Sequence, residues 1–169
     1  MTLAKKAPVA IVMGSDSDLA VMQGCVDQLK AFGIDPIVRI LSAHRTPAVA
    51  AEFAEKAAVN GIKVIIAAAG MAAHLAGAMA ARSALPIIGV PLAATQGLGG
   101  LDALLSTVQM PPGMPVASMA IGSAGAKNAA IFAVQILATA DEKMARKLQE
   151  FRAEQTAKVI EKDEALQNS

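Results

Sequence analysis

Short runs of apolar residues alternate along this chain with segments whose apolar residues recur every three or four positions. The short runs predict strands over residues 9–13, 37–41, 63–68, 85–90 and 116–121. The spaced stripes predict helices beginning at Leu19 and covering 47–60, 72–83, 101–108 and 124–140. Continuous apolar runs are typical of strands that are buried on both faces of a parallel sheet. The pattern therefore predicts a three-layer α/β fold with five parallel strands.

The polar residues gather directly after the first three predicted strands, at 14–18, 42–45 and 69–74. Right-handed crossovers place all these loops at the carboxyl edge of the sheet. If the strand order is the flavodoxin-like 2-1-3-4-5, the three loops converge at the switch point, where α/β proteins bind ligands. We expect a single domain over 1–169, with its core at about 8–140.

The loop at 42–45 has the strongest chemical character. Pro47 suits the first position of a helix and Thr46 its N-cap, so Arg45 stands at a helix start that offers free N–H groups to an anion. Arg45 adds a bidentate fork, and His44 brings an imidazole suited to proton transfer on a phosphorylated substrate. The alternative is a capped turn with two solvated side chains, and this stretch alone does not decide between them.

Two other loops admit a functional and a structural interpretation. Ser15 and Asp18 form a capping-box variant, but they would also suit an anion site with Asp18 accepting sugar hydroxyls. His74, predicted in the first turn of the third helix, is either a structural residue or part of the site. The chain has neither G-x-G-x-x-G nor G-x-x-x-x-G-K-[ST], so no dinucleotide or P-loop nucleotide is indicated.

The charge distribution predicts an oligomer. Net charge is +1 and there is no Trp or Tyr, so neither nucleic acid nor an anionic membrane is an expected partner. Residues 64–140 carry only Arg82, Asp102 and Lys127, whereas 141–164 carry thirteen charges. The uncharged part is too rich in Ala, Gly and Pro for a membrane span, so we expect it to face other subunits. A charged helix at about 142–165 with a thin apolar stripe is expected to form an arm on a neighbour.

The single cysteine, Cys25, lies among apolar neighbours in a predicted helix and is expected to fill the core rather than act as a nucleophile. One cysteine forms no internal disulfide, and the first residues have no apolar stretch typical of a signal peptide. We therefore expect a reduced, cytoplasmic protein.

Six segments together resemble the PurE family of purine biosynthesis, over about residues 9–140. They are 14–18, 42–47, 72–75, 101–102, 108–111 and 120–122. The pattern looks like class I of the family, the N5-carboxyaminoimidazole ribonucleotide mutases. These isomerases move a carboxylate from the exocyclic nitrogen to carbon 4 of an aminoimidazole ribonucleotide. The resemblance implies no metal, no cofactor, and a homo-oligomer, typically an octamer, with sites at subunit interfaces.

The resemblance also assigns roles to residues of this chain. It implies that His44 is the catalytic acid and base, and that Ser15, Asp18 and Arg45 bind the nucleotide; Ser42, Gly70 and His74 complete the candidate substrate-binding set. Carbon dioxide would be held between two half-reactions in a dry pocket. The residues expected to line that pocket are Ala69, Met71, Ala72, Ala73 and Leu75.

The chain departs from the family pattern in three places. Met71 stands where the pattern usually has Gly, Ala76 where it has Pro, and the loop at 92–100 is one residue longer. Three alternatives stay open at this stage: a carboxylase that uses free carbon dioxide, a non-catalytic nucleotide-binding module, and a structural oligomer. Only a catalytic protein requires His44 for turnover.

Overall fold

The structure is a computed structural model that describes residues 6–168. Contacts within the chain divide it into two compact units, residues 1–133 and 134–169. The predicted single domain over the whole chain stays a prediction.

The first unit alternates strands and helices along the chain. The strands are β1 (Val9–Met13), β2 (Ile37–Ile40), β3 (Val64–Gly70), β4 (Ile87–Leu92) and β5 (Ala117–Ser118). The helices are α1 (Leu19–Ala31), α2 (Pro47–Lys56), α3 (Leu75–Ala80), α4 (Leu101–Val108) and the greater part of α5 (Ser123–Ala138), with a 3₁₀ turn at Asp16–Asp18 before α1. The predicted α/β fold is confirmed.

All neighbouring strands pair in parallel, in the order β2-β1-β3-β4-β5. This is the predicted order, and it makes β1 and β3 the strands on either side of the switch point. All five residues of β1 are buried, as expected for a central strand covered on both faces. One face packs against α2 and α3, in a core that includes Val12, Phe53 and Met79. The carboxyl ends of the central strands are thereby fixed next to one another.

Several strands and helices have boundaries that differ from those predicted; β4, for example, covers Ile87–Leu92 instead of 85–90. β3 runs on to Gly70 because it stays paired with β4 as far as Leu92. β5 has two residues instead of six, since it pairs with β4 only at Ala117 and Ser118. The helix predicted at 47–60 ends at Lys56, and the helix predicted at 72–83 is limited to α3. α3 begins only at Leu75, because the His74 N–H donates to the Ala72 carbonyl at 2.8 Å in a turn tighter than a helical one.

The second unit comprises the end of α5 and the helix α6 (Glu142–Gln167). Asp141 caps α6, its Oδ1 accepting a hydrogen bond from the Met144 N–H at 3.1 Å. No residue of α6 is buried within the chain. The expectation that this helix lies on a neighbouring subunit stays a prediction.

Two further findings concern the sequence-based expectations. In residues 6–168, no helix is both long enough and apolar enough to cross a membrane. Cys25 is fully buried in α1, and burial raises the pKa of its thiol to about 12. At neutral pH the thiol is therefore uncharged and a poor nucleophile, which agrees with its expected place in the core.

Candidate active site

A cavity of about 430 Å³ opens at the carboxyl edge of the sheet, where the loops after β1, β2 and β3 meet. All seven residues of the candidate catalytic and substrate-binding set line it: Ser15, Asp18, Ser42, His44, Arg45, Gly70 and His74. The cavity is bounded entirely by the first unit. The structure therefore shows the expected convergence of the three loops at the switch point.

The loop after β1 is closed by the predicted capping box. The Ser15 N–H donates to Asp18 Oδ2 at 3.0 Å, while Ser15 Oγ accepts from the Ser17 N–H at 3.4 Å. The box caps the 3₁₀ turn at Asp16–Asp18, and α1 begins directly after it. These bonds hold the first-loop hydroxyls and carboxylates at the cavity wall.

The pKa values of the two carboxyl groups in this loop are shifted in opposite directions. Partial burial raises the pKa of Asp18, and the hydrogen bond from the Ser15 N–H opposes that effect. The Ser15 hydroxyl donates to Asp16 Oδ1 at 3.0 Å and lowers the pKa of Asp16, which is exposed. Asp18 is thus the carboxylate that is partly desolvated. A hydroxyl donor from a ligand would offset the free-energy cost of that desolvation.

The loop after β2 is held by Ser42 and Thr46. The Ser42 N–H donates to Thr46 Oγ1 at 2.9 Å, and Thr46 Oγ1 donates to the Ser42 carbonyl at 3.1 Å. Ser42 Oγ accepts from the Arg45 N–H at 3.0 Å. Thr46 occupies the predicted N-cap position of α2, although its side chain makes no capping bond to the helix. Its hydroxyl closes the loop instead, because Ser42 offers both a donor and an acceptor.

Arg45 connects the first two loops. Its Nη2 donates to the Gly14 carbonyl at 2.8 Å, and the side chain remains exposed. A guanidinium has five N–H donors, so this one bond orients the group and leaves others for an anion. The predicted anion fork is therefore compatible with the position of Arg45.

His44 and His74 touch although they lie thirty positions apart in sequence. His44 Nε2 is 2.9 Å from His74 Nδ1, and the rings meet edge to face at 80°. In such a bond one ring donates and the other accepts, so the accepting ring is neutral. His74 stands at the N-cap position of α3, one residue before the first helical turn where it was predicted. The contact gives His44 a partner that orients its ring.

The loop after β3 forms the apolar wall of the cavity. Ala69, Met71, Ala72 and Leu75 line it as expected, whereas Ala73 is buried in the core and is not part of the lining. The alternation of exposed and buried residues in this loop explains the difference, since Ala72 points outward and Ala73 inward.

Four lining residues were not singled out from the sequence: Gly14, Ser17, Ala43 and Ala94. Gly14, Ser17 and Ala43 lie in loops that the sequence had identified, so their position beside candidate residues was the signal that could have added them. Ala94 follows β4, the strand next to β3, and the strand order was the signal that could have added this fourth loop. Within the described residues, no group of three or more His, Cys, Asp or Glu is placed to hold a metal ion.

The fold and the site define a doubly wound α/β protein with a histidine pair, an arginine and a desolvated carboxylate at its switch point. The chain belongs to the AIR carboxylase family, whose pattern it matches over residues 8–158. It is 51% identical to the N5-carboxyaminoimidazole ribonucleotide mutase of Vibrio parahaemolyticus, over 90% of this chain and 94% of that protein. It is 49% identical to the protein of that name from Bacillus subtilis, over 94% of this chain and 97% of that one.

Solved structures lead to the same family. The chain superposes on the crystal structure of Treponema denticola PurE with a TM-score of 0.84 and 30% sequence identity. The match covers 94% of this chain and 97% of that one. The resemblance to PurE inferred from the sequence is therefore confirmed.

Proposed function

We propose that this chain is an N5-carboxyaminoimidazole ribonucleotide mutase of purine biosynthesis, with His44 as its proton carrier. Relatives of about 50% identity over most of their length carry that name. The observation that supports the assignment within the site is the His44–His74 bond of 2.9 Å at the cavity wall. It supplies an oriented acid and base beside residues suited to a phosphorylated ribose.

The nucleotide would lie across the first two loops. The Arg45 guanidinium, which has donors beyond the one bonded to the Gly14 carbonyl, provides an anion site for the phosphate. Asp18 accepts ribose hydroxyls, which offsets the desolvation of its carboxylate. Ser15 and Ser42 provide short hydroxyl groups at the same wall. The aminoimidazole ring then extends toward His44 and the loop after β3.

The reaction consists of two steps with no net change in protons. The bond between the exocyclic nitrogen and the carboxylate breaks, the nitrogen gains a proton, and carbon dioxide is released into the cavity. Carbon 4 of the electron-rich ring attacks the carbon dioxide, the new carbon–carbon bond forms, and carbon 4 loses its proton. His44 carries the proton between the two positions, and the apolar wall retains the gas.

The experiment supplies purified protein with the carbamate in buffer stripped of carbon dioxide, and separately with aminoimidazole ribonucleotide and bicarbonate. We expect efficient conversion in the first reaction and slow conversion, dependent on high bicarbonate, in the second. The reverse pattern would identify a carboxylase that uses free carbon dioxide. Binding of the nucleotide without any turnover would identify a non-catalytic module.

We further propose that the protein is a cytoplasmic homo-oligomer, an octamer. Leu98, Leu101, Leu105 and Val108 form an exposed stripe along α4 and the loop before it, at spacings of three, four and three. This spacing is typical of helix faces that pack on another helix. Light scattering of the intact chain is expected to give the mass of eight copies. Removal of α6, by a stop codon at Glu142, is expected to weaken the assembly, and a stable monomer of the intact chain would contradict the proposal.

A further inference from the structure

Met71 has a backbone conformation that is unusual for its side chain. Its φ of 53° is the only positive φ of a non-glycine residue among the residues that the structure describes. Glycine adopts this region without steric cost, whereas a residue with a Cβ is strained there. A strained residue persists where its surroundings impose the conformation, and such residues gather at functional sites.

The residues on either side of Met71 impose its conformation. Gly70 is paired with Leu92 in the sheet, and a Cβ at Gly70 would be only 3.1 Å from the Leu92 carbonyl oxygen. On the other side, Ala73 is buried in the core. Met71 and Ala72 bridge these two fixed points and stand at the surface. The backbone at position 71 is therefore set by its anchors, whichever residue occupies it.

The side chain of Met71 lies at the boundary between the cavity and solvent. It lines the cavity, yet it is 52% exposed. The other apolar residues of the lining are alanines, apart from Leu75, which is 2% exposed. Met71 is thus the one lining residue with a long apolar side chain at the cavity mouth. Methionine has an unbranched, flexible side chain that adapts to irregular gaps.

We propose that Met71 closes the apolar end of the cavity and sets the fraction of carbon dioxide that is recaptured rather than lost. This inference rests on the proposed mutase function. Carbon dioxide is small and uncharged, so no ion pair can hold it between the two steps, and only enclosure prevents its escape. When Met71 covers the mouth, carbon 4 captures the gas. When the mouth is open, the gas leaves, and aminoimidazole ribonucleotide is released with its amino group protonated back to NH₂.

The test follows a ¹³C label in the carboxylate of the carbamate, in buffer that contains unlabelled bicarbonate and carbonic anhydrase. The native protein is expected to form product that keeps the label. Met71→Ala and Met71→Gly are expected to release several-fold more aminoimidazole ribonucleotide per turnover and to form product with diluted label. Met71→Leu, which restores apolar bulk, should retain more label than Met71→Ala. Spontaneous loss from the carbamate is subtracted with a reaction lacking protein.

Two controls separate this role from general damage. Met114 is also partly exposed and lies outside the cavity, so Met114→Ala is expected to keep the label as the native protein does. Met71→Gly relieves the left-handed strain, so its melting temperature should not fall. The inference is overturned if Met71→Ala and Met71→Gly keep the label fully, or if Met114→Ala loses it equally. Failure of the native protein to convert the carbamate would instead refute the proposed function itself.

Discussion

Replacement of His74 tests what the bond between the two histidines contributes to catalysis. His74 is expected to position His44, since its Nδ1 lies 2.9 Å from His44 Nε2. A hydrogen bond between uncharged groups contributes about 0.5–1.5 kcal/mol. If the whole of that energy orients His44 in the transition state, His74→Phe lowers kcat by about 2- to 13-fold, since 1.36 kcal/mol corresponds to a tenfold change in rate. This loss in kcat is smaller than the contribution of proton transfer itself, which is about 10²–10⁴-fold.

Two amides provide matched controls for the His74 replacement. Asn places its amide close to the position of Nδ1, and Gln places it close to that of Nε2. Because His74 uses Nδ1 for the bond, His74→Asn is expected to keep more of kcat than His74→Gln or His74→Phe. The assay is steady-state turnover of the carbamate across pH, with binding of aminoimidazole ribonucleotide measured separately.

Separate measurement of kcat and of nucleotide binding distinguishes positioning from a general structural effect. His74→Phe removes the partner that orients the His44 ring, so kcat should fall while nucleotide binding changes little. A native kcat in His74→Phe would refute the positioning role. A loss as large as 10²-fold or more would identify His74 as a proton carrier in its own right.

Three further predictions follow from the contacts of the site and the sheet. Arg45→Ala should weaken binding of aminoimidazole ribonucleotide by calorimetry more than Ser15→Ala, because charged hydrogen bonds contribute about 1.5–3 kcal/mol and neutral ones about 1 kcal/mol; equal losses would place Arg45 outside the phosphate site. Folding raises the pKa of Asp18 above 3.8, so ionisation of Asp18 costs stability as pH rises through the window just above that value. Asp18→Asn should therefore be at least as stable as the native protein at pH 7, and a large fall in melting temperature would contradict this. Gly89→Ala should destabilise by about 1–3 kcal/mol in denaturant unfolding, because its Cβ would overlap a threonine side chain of α4, whereas Gly24→Ala in α1, with contacts no closer than 3.5 Å, serves as the control.

Much of the fold could be predicted because the pattern of apolar residues is unambiguous in the centre of the sheet. β1 and α4 have the predicted boundaries, and the strand order is the predicted one. The strand boundaries that were predicted wrongly are those set by hydrogen-bond pairing with the neighbouring strand and not by the pattern of apolar residues. Five of the six residues at 116–121 are apolar, but this run stands at the edge of the sheet and only Ala117 and Ser118 pair with β4. An apolar run thus does not reveal how far a strand pairs with its neighbour.

Which candidate residues meet in one cavity could be predicted, but their contacts could not. A polar loop after each of β1, β2 and β3 was enough to bring seven candidates to one cavity. The bond between His44 and His74 depends on where two separate loops end, which no local pattern encodes. Thr46 is at the predicted N-cap position, but the bonds of its hydroxyl to the backbone of Ser42 could not be predicted for a similar reason. The left-handed conformation of Met71 likewise arises from tertiary anchors on both sides.

The most direct test of this account is the turnover of His44→Asn, measured together with its affinity for aminoimidazole ribonucleotide. Asn retains polar character at the same wall of the cavity but cannot carry a proton at neutral pH. The account predicts affinity close to that of the native protein and a fall in kcat of about 10²–10⁴-fold or more. Turnover close to the native rate in His44→Asn would contradict the central claim, because the proton would then have another carrier.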